Sequence, residues 1–360
     1  MAKIVILGAG MMGSAFSVPL ADNGHAVRLV GTHLDADIVD SLRRDRFHPR
    51  LEVHLPETVQ PYAHDELGDA MRGADLAILG VNSAGLDWAA EKLSCVLPLH
   101  VPVVMLTKGL RGEGGKLHFL PNVLRARLPS DRVGPICTIR GPSIAGELAV
   151  RRHTSVLLTC PDQSVFDSLA GCLRTSYYHV WPNTDLAGVE VCAALKNLFS
   201  LAVGIVSGLL EGSPDVENGL GMHNLSAALF AEAMCEIAYM VATVGGHQRS
   251  IWTLPGAGDL YVTCQGGRNI RMGRWLGLGV PYSEAKARYL SDVTLEGAET
   301  AFTIGPTIDA MAQKGEIDPN ALPLMRALID IVCQDGPPHI PWDRFFGSGF
   351  PPHRTPGATV

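Results

Sequence analysis

Lys3-Ile-Val-Ile-Leu-Gly8-Ala-Gly10-Met-Met-Gly13 combines a short apolar run with three glycines and leads into a helical stretch. Gly8 allows a tight turn, Gly10 lets the backbone approach a ligand closely, and Gly13 permits close packing of a helix on a strand. The free N–H groups and the dipole at a helix N-terminus then favour a diphosphate. In this strand–turn–helix context, the three glycines predict a dinucleotide-binding site.

The residues that follow alternate between β-rich runs and helical stretches up to about residue 186. Such alternation is typical of an α/β fold, with a mostly parallel sheet and helices on both faces. Apolar runs without polar alternation indicate strands that are covered on both sides. We therefore predict a dinucleotide-binding domain over residues 1–186. Its strands are expected at Lys3–Leu7, Ala26–Val30, Asp75–Val81, Val101–Thr107, Ile136–Arg140 and Ser155–Thr159.

The segment after the second predicted strand bears on the choice of cofactor. It reads Val30-Gly31-Thr32-His33-Leu34-Asp35 and lacks an acidic residue directly at the strand end, where an acid would hold the ribose 2′-hydroxyl of NAD. Without that acid the site would not repel a 2′-phosphate, and His33 could approach one. The segment slightly favours NADP over NAD, although the nearby Asp35 keeps NAD open.

From residue 187 onward the pattern is helical, and one run is apolar on every face. Gly188–Gly208 carries Lys196 among residues that are almost all hydrophobic. A helix of this kind lies in a protein core, and its Glu190, Lys196 and Asn197 make it a poor membrane span. Loss of hydration lowers the pKa of such a lysine and suits it to proton transfer near neutral pH. The alternative is a lysine with a buried stem whose ammonium pairs with an acid.

We predict an all-α second domain over residues 187–335. Asn224 is expected to be the N-cap of its second long helix, which should end at the Gly245-Gly246 pair. Residues 336–360 are rich in proline, glycine and aromatic residues and are expected to form an irregular tail. The helices are expected at Gly188–Leu210, Asn224–Val244, Asn269–Leu278, Ser283–Leu290, Ile304–Lys314 and Ala321–Val332.

The composition excludes several classes of protein. The formal net charge is −7, so the chain has no global basic field that would attract nucleic acid. Its eight cysteines are scattered without a CxxC pair, and its thirteen histidines form no HxxxH or HxH pattern. These patterns predict reduced thiols in a cytoplasmic protein and no metal site. The N-terminus shows no export signal, and we expect no membrane span.

Four further segments carry polar groups that a fold alone would not need. The first two follow strands, at the carboxyl ends where ligands gather in open α/β sheets. In the fourth, an arginine that opens a helix offers forked donors beside free N–H groups, which suits a phosphate dianion. Taken singly, these residues also fit structural roles: a surface cation, a turn acid or half of a salt bridge. The segments are Thr107-Lys108-Gly109-Leu110, Gly141-Pro-Ser143-Ile-Ala145, Gly256-Ala-Gly-Asp259 and Arg268-Asn269.

The chain resembles the NAD(P)-dependent glycerol-3-phosphate dehydrogenase family along nearly its whole length. The resemblance implies a Rossmann-type first domain, a helical second domain and a homodimer. It also implies reduction of a small phosphorylated ketone, dihydroxyacetone phosphate in the family, to its alcohol with NAD or NADP. Seven family motifs occur in order: Gly8/Gly10/Gly13, Thr107-Lys108-Gly109, Gly141-Pro-Ser143-Ile-Ala145, Gly188-Val-Glu190 through Ala194-Leu-Lys196-Asn197, Gly256-Ala-Gly-Asp259-Leu-Tyr-Val-Thr263-Cys264, Arg268-Asn269 and Glu296-Gly297.

The resemblance also assigns roles by position. Lys196 matches the family's proton donor and acceptor, Asp259 matches the acid that orients or charges this amine, and Asn197 completes the catalytic set. The substrate-binding positions are Lys108, Gly141, Ser143, Thr263, Arg268 and Asn269. The cofactor-binding positions are Gly8, Gly10, Met11, Met12, Gly13, His33, Lys108, Ala145, Arg268, Thr294 and Glu296.

The chain departs from the family pattern in several places. Gly146 stands where a basic residue is usual, Gln265-Gly-Gly267 is a shorter link than usual, and Glu232 stands at a common arginine position. These differences alter the pocket around the lysine–aspartate pair, so two alternatives stay open. One is a related dehydrogenase that acts on a different small phosphorylated ketose or on a hydroxy acid. The other is a non-catalytic NAD(P)-binding protein.

Overall fold

The computed structural model of the chain describes residues 1–213 and 221–345. It divides into two compact units: Met1–Lys108 with Leu120–Leu186 form the first, and Gly109–Phe119 with the described residues from Ala187 onward form the second. The segment at 109–119 is a β-hairpin that the predicted division had placed in the first domain. Of the expected tail, only the part up to Phe345 lies within the described residues.

The first unit is built on an eight-stranded, mostly parallel sheet, which confirms the predicted α/β class. Its strand order is β12-β11-β10-β7-β6-β1-β2-β5, and β10 and β11 form its antiparallel pair. Strands β3 and β4 form a separate two-stranded ribbon in this unit, whereas β8 and β9 form the hairpin of the second unit. The strands are β1 (Lys3–Leu7), β2 (Ala26–Val30), β3 (Phe47–His48), β4 (Val53–His54), β5 (Val59–Tyr62), β6 (Leu76–Leu79), β7 (Val103–Met105), β8 (Leu110–Glu113), β9 (Lys116–Phe119), β10 (Ile136–Arg140), β11 (Thr154–Thr159) and β12 (Tyr178–Asn183).

The sheet is covered on both faces, as the apolar strands predicted. Along β1, Ile4 and Ile6 pack in one hydrophobic cluster, whereas Val5 and Leu7 pack in another. This follows from the two-residue period of a strand, which points successive side chains to opposite faces. The order of the strands switches between β1 and β6: β2 and β5 are added on one side of β1, whereas β6 and β7 are added on its other side. In open α/β sheets such a switch point opens a crevice at the carboxyl ends of the strands, where ligands bind.

The helices of the first unit follow its strands. α1 begins directly after the glycine turn, with Gly10 as its N-cap residue, so the predicted strand–turn–helix unit at the N-terminus is confirmed. The helices are α1 (Met11–Asp22), α2 (Ala36–Asp45), α3 (Leu67–Met71), α4 (Leu86–Val96), α5 (Leu120–Arg127), α6 (Ala145–Ala149) and α7 (Gln163–Leu173).

The helices that follow bear out the predicted all-α second half, with some differences in their bounds. Asn224 lies inside α9 and Met222 is its N-cap residue, so the predicted N-cap is wrong. α13 is 18 residues long and begins eight residues before the predicted Ile304, because Glu296 and Gly297 are already helical. The helices are α8 (Leu186–Glu211), α9 (His223–Thr243), α10 (Asp259–Cys264), α11 (Arg268–Gly277), α12 (Tyr282–Tyr289), α13 (Glu296–Gln313) and α14 (Pro323–Cys333).

Helix α8 forms the centre of the second hydrophobic core. By length and composition alone, α8 and α9 could cross a membrane, but 94% and 61% of their most apolar windows are buried inside the protein. A core helix has the same composition as a membrane span, so these two helices alone are weak indications of a span. In α8, Leu195, Leu198 and Phe199 are almost completely buried.

The backbones of α8 and α11 lie in direct contact, because glycines occupy the contacting positions of both helices. A Cβ atom on Gly204 would lie 2.5 Å from the carbonyl oxygen of Ile270, and one on Gly273 would lie 2.3 Å from that of Leu201. Larger residues would push the helices apart. This contact sets the N-terminus of α11 close to the middle of α8, where Lys196 and Asn197 lie.

Candidate active site

The glycine turn of the first unit has the geometry that a diphosphate needs. Gly8 has a φ of +114°, a conformation that L side chains rarely adopt. A Cβ atom on Gly13 would lie 2.0 Å from the carbonyl oxygen of Gly8, so α1 can pack on the strand only through a glycine. A Cβ atom on Gly10 would meet no protein atom within 4 Å. The turn therefore leaves open space above Gly10, at the N-terminus of α1, where a dinucleotide would fit.

The end of β2 carries the residues considered for the ribose. Asp35 is buried, and its Oδ2 accepts hydrogen bonds from the backbone N–H of Thr32 at 2.8 Å and of Ala9 at 3.3 Å. The Asp35 carboxylate is thus hydrogen-bonded to the backbone on both sides of it, at the glycine turn and at the end of β2. His33 is exposed, and its ring lies 5.6 Å from the ring of Trp88.

Two loops at the carboxyl ends of neighbouring strands carry further predicted site residues. Thr107 and Lys108 follow β7, while Gly141 and Ser143 follow β10. The fully buried Arg140 joins these strand ends, since its guanidinium donates to the carbonyl oxygens of Met105 at 3.0 Å and of Thr107 at 2.5 Å.

The hydroxyl of Ser143 is a polar group that fits a ligand. Its Oγ is buried and has no hydrogen-bond partner within the described part of the chain. A buried polar atom without a partner is costly and rare in folded proteins. A bound ligand would supply the missing partner of this hydroxyl, and the open space above Gly10 would accept a diphosphate, so the residues present fit a bound cofactor. Ala145 opens α6 two residues later, and Lys108 is half-buried.

Lys196 and Asp259 form a buried ion pair in the second unit. Nζ of Lys196 lies 2.5 Å from Oδ1 of Asp259, and the two residues are only 6% and 2% exposed. The same ammonium donates to Oγ1 of Thr263 at 3.1 Å. The Thr263 hydroxyl donates its own proton to the carbonyl oxygen of Asp259 at 2.6 Å, so its lone pairs are available to the ammonium. Both acceptors hold Lys196 in one orientation.

A π-helical turn at Leu254–Gly258 leads into Asp259. Such turns are rare and frequently occur at functional sites. This one depends on close packing, because a Cβ atom on Gly256 would lie 2.1 Å from the carbonyl oxygen of Ile251. The glycine-rich approach seen in the sequence therefore sets the position of the carboxylate.

A second group of polar residues lies next to this pair along α8. Nδ2 of Asn197 donates to Glu296 at 2.8 Å, and the other oxygen of Glu296 accepts from Arg268 at 3.0 Å. The Asn269 amide donates to Oδ1 of Asn197 at 3.4 Å and accepts from the backbone N–H of Gly297 at 3.2 Å. Arg268, whose side chain is 51% exposed, thus lies at the N-terminus of α11 with one side held by Glu296.

The departures noted in the sequence have local structural consequences. Gly267 is the N-cap residue of α11 with a φ of +101°, so the short link from α10 requires a glycine there. A Cβ atom on Gly146 would meet nothing within 4 Å, and the usual basic residue would therefore have room. Glu232 is fully buried in α9.

Cys264 ends α10, the helix that carries Asp259 and Thr263. Burial raises the pKa of its thiol to about 12, although the positive charge of Lys196 acts in the opposite direction. Since the thiolate is the reactive form, Cys264 is not suited to act as a nucleophile near neutral pH.

Twelve of the predicted site residues lie in three groups. Gly8, Gly10, Met11, Met12 and Gly13 form the turn; Lys196, Asp259 and Thr263 form the buried pair with its hydroxyl; and Asn197, Arg268, Asn269 and Glu296 form the amide–arginine network. Thr294 lies in the segment before α13. Two fully buried residues that contact these segments were not predicted from the sequence: Arg140, which binds the end of β7, and His48, whose Nε2 lies 3.2 Å from the carbonyl oxygen of Ala9 in the glycine turn. An arginine at the end of a mainly apolar strand such as β10 could have indicated a role for Arg140, whereas no neighbouring sequence pattern indicates a role for His48.

Comparison with known proteins agrees with this geometry. The model of the NAD-dependent glycerol-3-phosphate dehydrogenase N-terminus matches residues 3–166, and that of the C-terminus of the same enzymes matches residues 185–342. The chain belongs to the NAD-dependent glycerol-3-phosphate dehydrogenase family. The resemblance found in the seven motifs is thereby confirmed. The protein is an oxidoreductase acting on a CH–OH donor, with NAD or NADP as its cofactor.

Individual members of the family are similar over most of their length. An NADP(+)-dependent glycerol-3-phosphate dehydrogenase of Archaeoglobus fulgidus is 35% identical over 284 residues, 78% of this chain and 82% of that protein. A glycerol-3-phosphate dehydrogenase [NAD(P)+] of Lysinibacillus sphaericus is 31% identical over 348 residues, 95% of each chain. The crystal structure of glycerol-3-phosphate dehydrogenase from Coxiella burnetii has a TM-score of 0.78 and 29% identity, covering 94% of this chain and 96% of that one.

Proposed function

We propose that this protein interconverts sn-glycerol 3-phosphate and dihydroxyacetone phosphate, with Lys196 as the proton donor and acceptor. The observation that carries the proposal is the buried pair of Lys196 and Asp259, with 2.5 Å between ammonium and carboxylate. An ammonium held in one orientation can give its proton to a carbonyl oxygen placed within hydrogen-bond reach. In the oxidation direction the amine takes the proton back from the alcohol.

Asp259 and Thr263 act on the substrate through Lys196. Both accept hydrogen bonds from its ammonium and thereby hold the proton donor in one orientation towards the substrate oxygen. The negative charge of Asp259 also stabilises the charged form of the lysine before the proton is transferred. The bound nicotinamide supplies or accepts the hydride at the substrate carbon.

Arg268 and Asn269 are proposed to hold the substrate phosphate. Arg268 opens α11, where free backbone N–H groups and the helix dipole add to the forked donors of its guanidinium. Asn197 and Glu296 hold the arginine and the asparagine in place. We propose that Lys108, Gly141 and Ser143 contribute further contacts to the substrate.

The glycine turn is proposed to hold the cofactor diphosphate. Gly8, Gly10, Met11, Met12 and Gly13 form this part of the site, whereas Lys108, Ala145, Arg268, Thr294 and Glu296 are proposed as the remaining contacts beside His33. NADP is slightly favoured because Asp35, the acid nearest this strand end, is only 7% exposed and accepts hydrogen bonds from the backbone N–H groups of Thr32 and Ala9, so its carboxylate is directed to the turn rather than to solvent.

The assembly and the surroundings of the protein are also proposals. We propose a homodimer in the cytoplasm, with a cofactor domain at 1–186, a catalytic domain at 187–335 and a short tail after it. The eight cysteines all lie within the described residues and none forms a disulfide, which agrees with a reducing compartment. Light scattering during gel filtration would measure the mass of the assembly.

Oxidation of NADH and of NADPH, followed by nicotinamide absorbance, tests the proposed activity. Dihydroxyacetone phosphate is expected to be turned over rapidly, whereas dihydroxyacetone without phosphate is expected to react poorly. Turnover of another phosphorylated ketose or of a keto acid in its place would assign the altered loops to a different substrate. Cofactor binding without turnover of any ketone would show a non-catalytic protein.

A further inference from the structure

His48 is a fully buried histidine of the first unit in which both ring nitrogens have partners. Its Nδ1 accepts hydrogen bonds from the backbone N–H groups of Arg50 at 3.2 Å and of Leu51 at 3.1 Å. Its Nε2 lies 3.2 Å from the carbonyl oxygen of Ala9. Because Nδ1 receives two donors, it must be the unprotonated nitrogen, and Nε2–H donates to Ala9. The contacts thus select one neutral tautomer.

Ala9 is the middle residue of Gly8-Ala9-Gly10, and it is held from both sides. Its carbonyl oxygen also accepts from Oγ of Ser14 at 2.9 Å, and its N–H donates to Asp35 at 3.3 Å. In a planar trans peptide, the N–H of the next residue points opposite to the carbonyl. The two donors that fix the Ala9 carbonyl therefore aim the N–H of Gly10 in the opposite direction.

We propose that His48 is a positioning residue for the cofactor: by donating to the Ala9 carbonyl, it aims the Gly10 N–H at the dinucleotide diphosphate. The proposal rests on the proposed placement of the cofactor on the glycine turn. Space for such a ligand exists, since a Cβ atom on Gly10 would meet no protein atom within 4 Å. An N–H oriented before the ligand arrives needs no ordering during binding, which increases affinity.

This arrangement makes cofactor binding depend on pH. Protonation of His48 would place a proton on Nδ1, where two backbone N–H groups already point, and would break that turn. Burial lowers the pKa of His48; the nearby charge of Arg50 acts in the same direction, while Asp35 and the Ala9 carbonyl oppose it. The neutral, binding-competent form is thus present at neutral pH and is lost as the pH falls through this lowered pKa.

Two substitutions test the two ring nitrogens of His48 separately. His48→Asn keeps an acceptor near the position of Nδ1 and loses the donor to Ala9, whereas His48→Gln places an amide donor near the position of Nε2. The dissociation constant of NADPH would be measured by fluorescence, and the stability of each variant by urea unfolding. His48→Asn should weaken NADPH binding about five- to tenfold, the effect of one lost hydrogen bond. His48→Gln should stay within about twofold of the parent.

The control is His54→Gln on the neighbouring strand β4, where His54 is exposed; it should not change NADPH binding. The KM for the ketone at saturating cofactor should stay constant in all three variants. Equal weakening by His48→Asn and His48→Gln, or none in either, would overturn the proposal and leave His48 a structural residue. Unchanged NADPH binding in Gly10→Ala would instead refute the placement of the cofactor on the glycine turn.

The pH dependence of NADPH binding tests the role of His48 even if His48→Asn does not fold. Affinity for NADPH in the parent should fall on acidification through the pKa of His48, and in His48→Gln the corresponding step should be missing. Parallel curves for the parent and His48→Gln would contradict the proposal.

Discussion

The ammonium of Lys196 lies 2.5 Å from Oδ1 of Asp259, although the two residues are 63 positions apart in the chain. Both are almost completely buried. Removing one partner from a buried pair typically costs about 3–5 kcal/mol, because it leaves a buried charge without compensation. The pair is thus unlike a surface salt bridge, and its members can be tested separately for stability and for catalysis.

Lys196→Met should lower kcat at least about 100-fold, because a positioned acid or base typically contributes 10²–10⁴ to the rate. The dissociation constant of NADPH should remain within about twofold, since the cofactor is proposed to bind mainly on the glycine turn. Steady-state kinetics and fluorescence titration measure the two quantities. Lys314→Met, at an exposed position of the same unit, serves as the control. Activity within a few-fold of the parent would show that Lys196 is not the acid.

Asp259→Asn should reduce kcat and destabilise the fold, because the ammonium of Lys196 then lacks its carboxylate. Urea unfolding should show a loss of about 3 kcal/mol relative to the parent. In the double variant Lys196→Met/Asp259→Asn, much of that stability should return while turnover remains absent. A double variant whose destabilisation equals the sum of the two single losses would mean that the residues do not act as a pair.

Arg268→Met should raise the KM for dihydroxyacetone phosphate about 10- to 100-fold, since hydrogen bonds to a charged group contribute about 1.5–3 kcal/mol. The kinetics of unphosphorylated dihydroxyacetone should change far less, because it lacks the phosphate. Arg271→Met, one turn further along α11 and exposed, is the matched control. Equal losses for the two ketones would place the phosphate elsewhere.

Two glycines of the turn should respond differently to the same added methyl group. Gly10→Ala should fold with nearly the stability of the parent but bind NADPH poorly, because its Cβ meets no protein atom and would occupy the space proposed for the diphosphate. Gly13→Ala should destabilise the protein, since its Cβ would lie 2.0 Å from the Gly8 carbonyl oxygen. Thermal unfolding and NADPH titration distinguish the two. Unchanged NADPH binding in Gly10→Ala would move the cofactor away from this turn.

Cys264 should react slowly with iodoacetamide at pH 8, because burial raises its pKa to about 12 and the thiolate is the nucleophile. Its labelling should accelerate as the pH rises towards that value, whereas the exposed Cys95 should be labelled first. Lys196→Met should slow Cys264 further, since the ammonium charge lowers this pKa. Peptide mass spectrometry measures both sites, and equally fast labelling at pH 8 would contradict the prediction.

Some elements could not be predicted from the sequence, because their patterns are weak or contain a residue that argues against the element. β12 contains Pro182, which normally argues against a strand, and it is tolerated because β12 is at the edge of the sheet. The hairpin of β8 and β9 contains Gly112, Gly114 and Gly115, and its apolar alternation is poor. Asn224 is a good N-cap residue by its chemistry, but α9 begins one residue earlier.

The sequence by itself determined the elements whose signals are local. The strand–turn–helix unit at Gly8–Gly13, the helix around Lys196 and the glycine-rich approach to Asp259 are encoded by neighbouring residues, because turn geometry and apolar periodicity depend on short stretches of chain. The seven motifs likewise identified the family, since each is a contiguous pattern.

Only the tertiary structure decided which polar groups meet. His48 lies 39 positions from Ala9, and Glu296 lies 99 positions from Asn197, yet each pair is hydrogen-bonded. Such contacts depend on how strands and helices pack, and no periodicity in the chain records them. Burying a polar group without a hydrogen-bond partner is costly. His48, Asp35 and Lys196 are therefore buried at positions where the fold supplies partners for them.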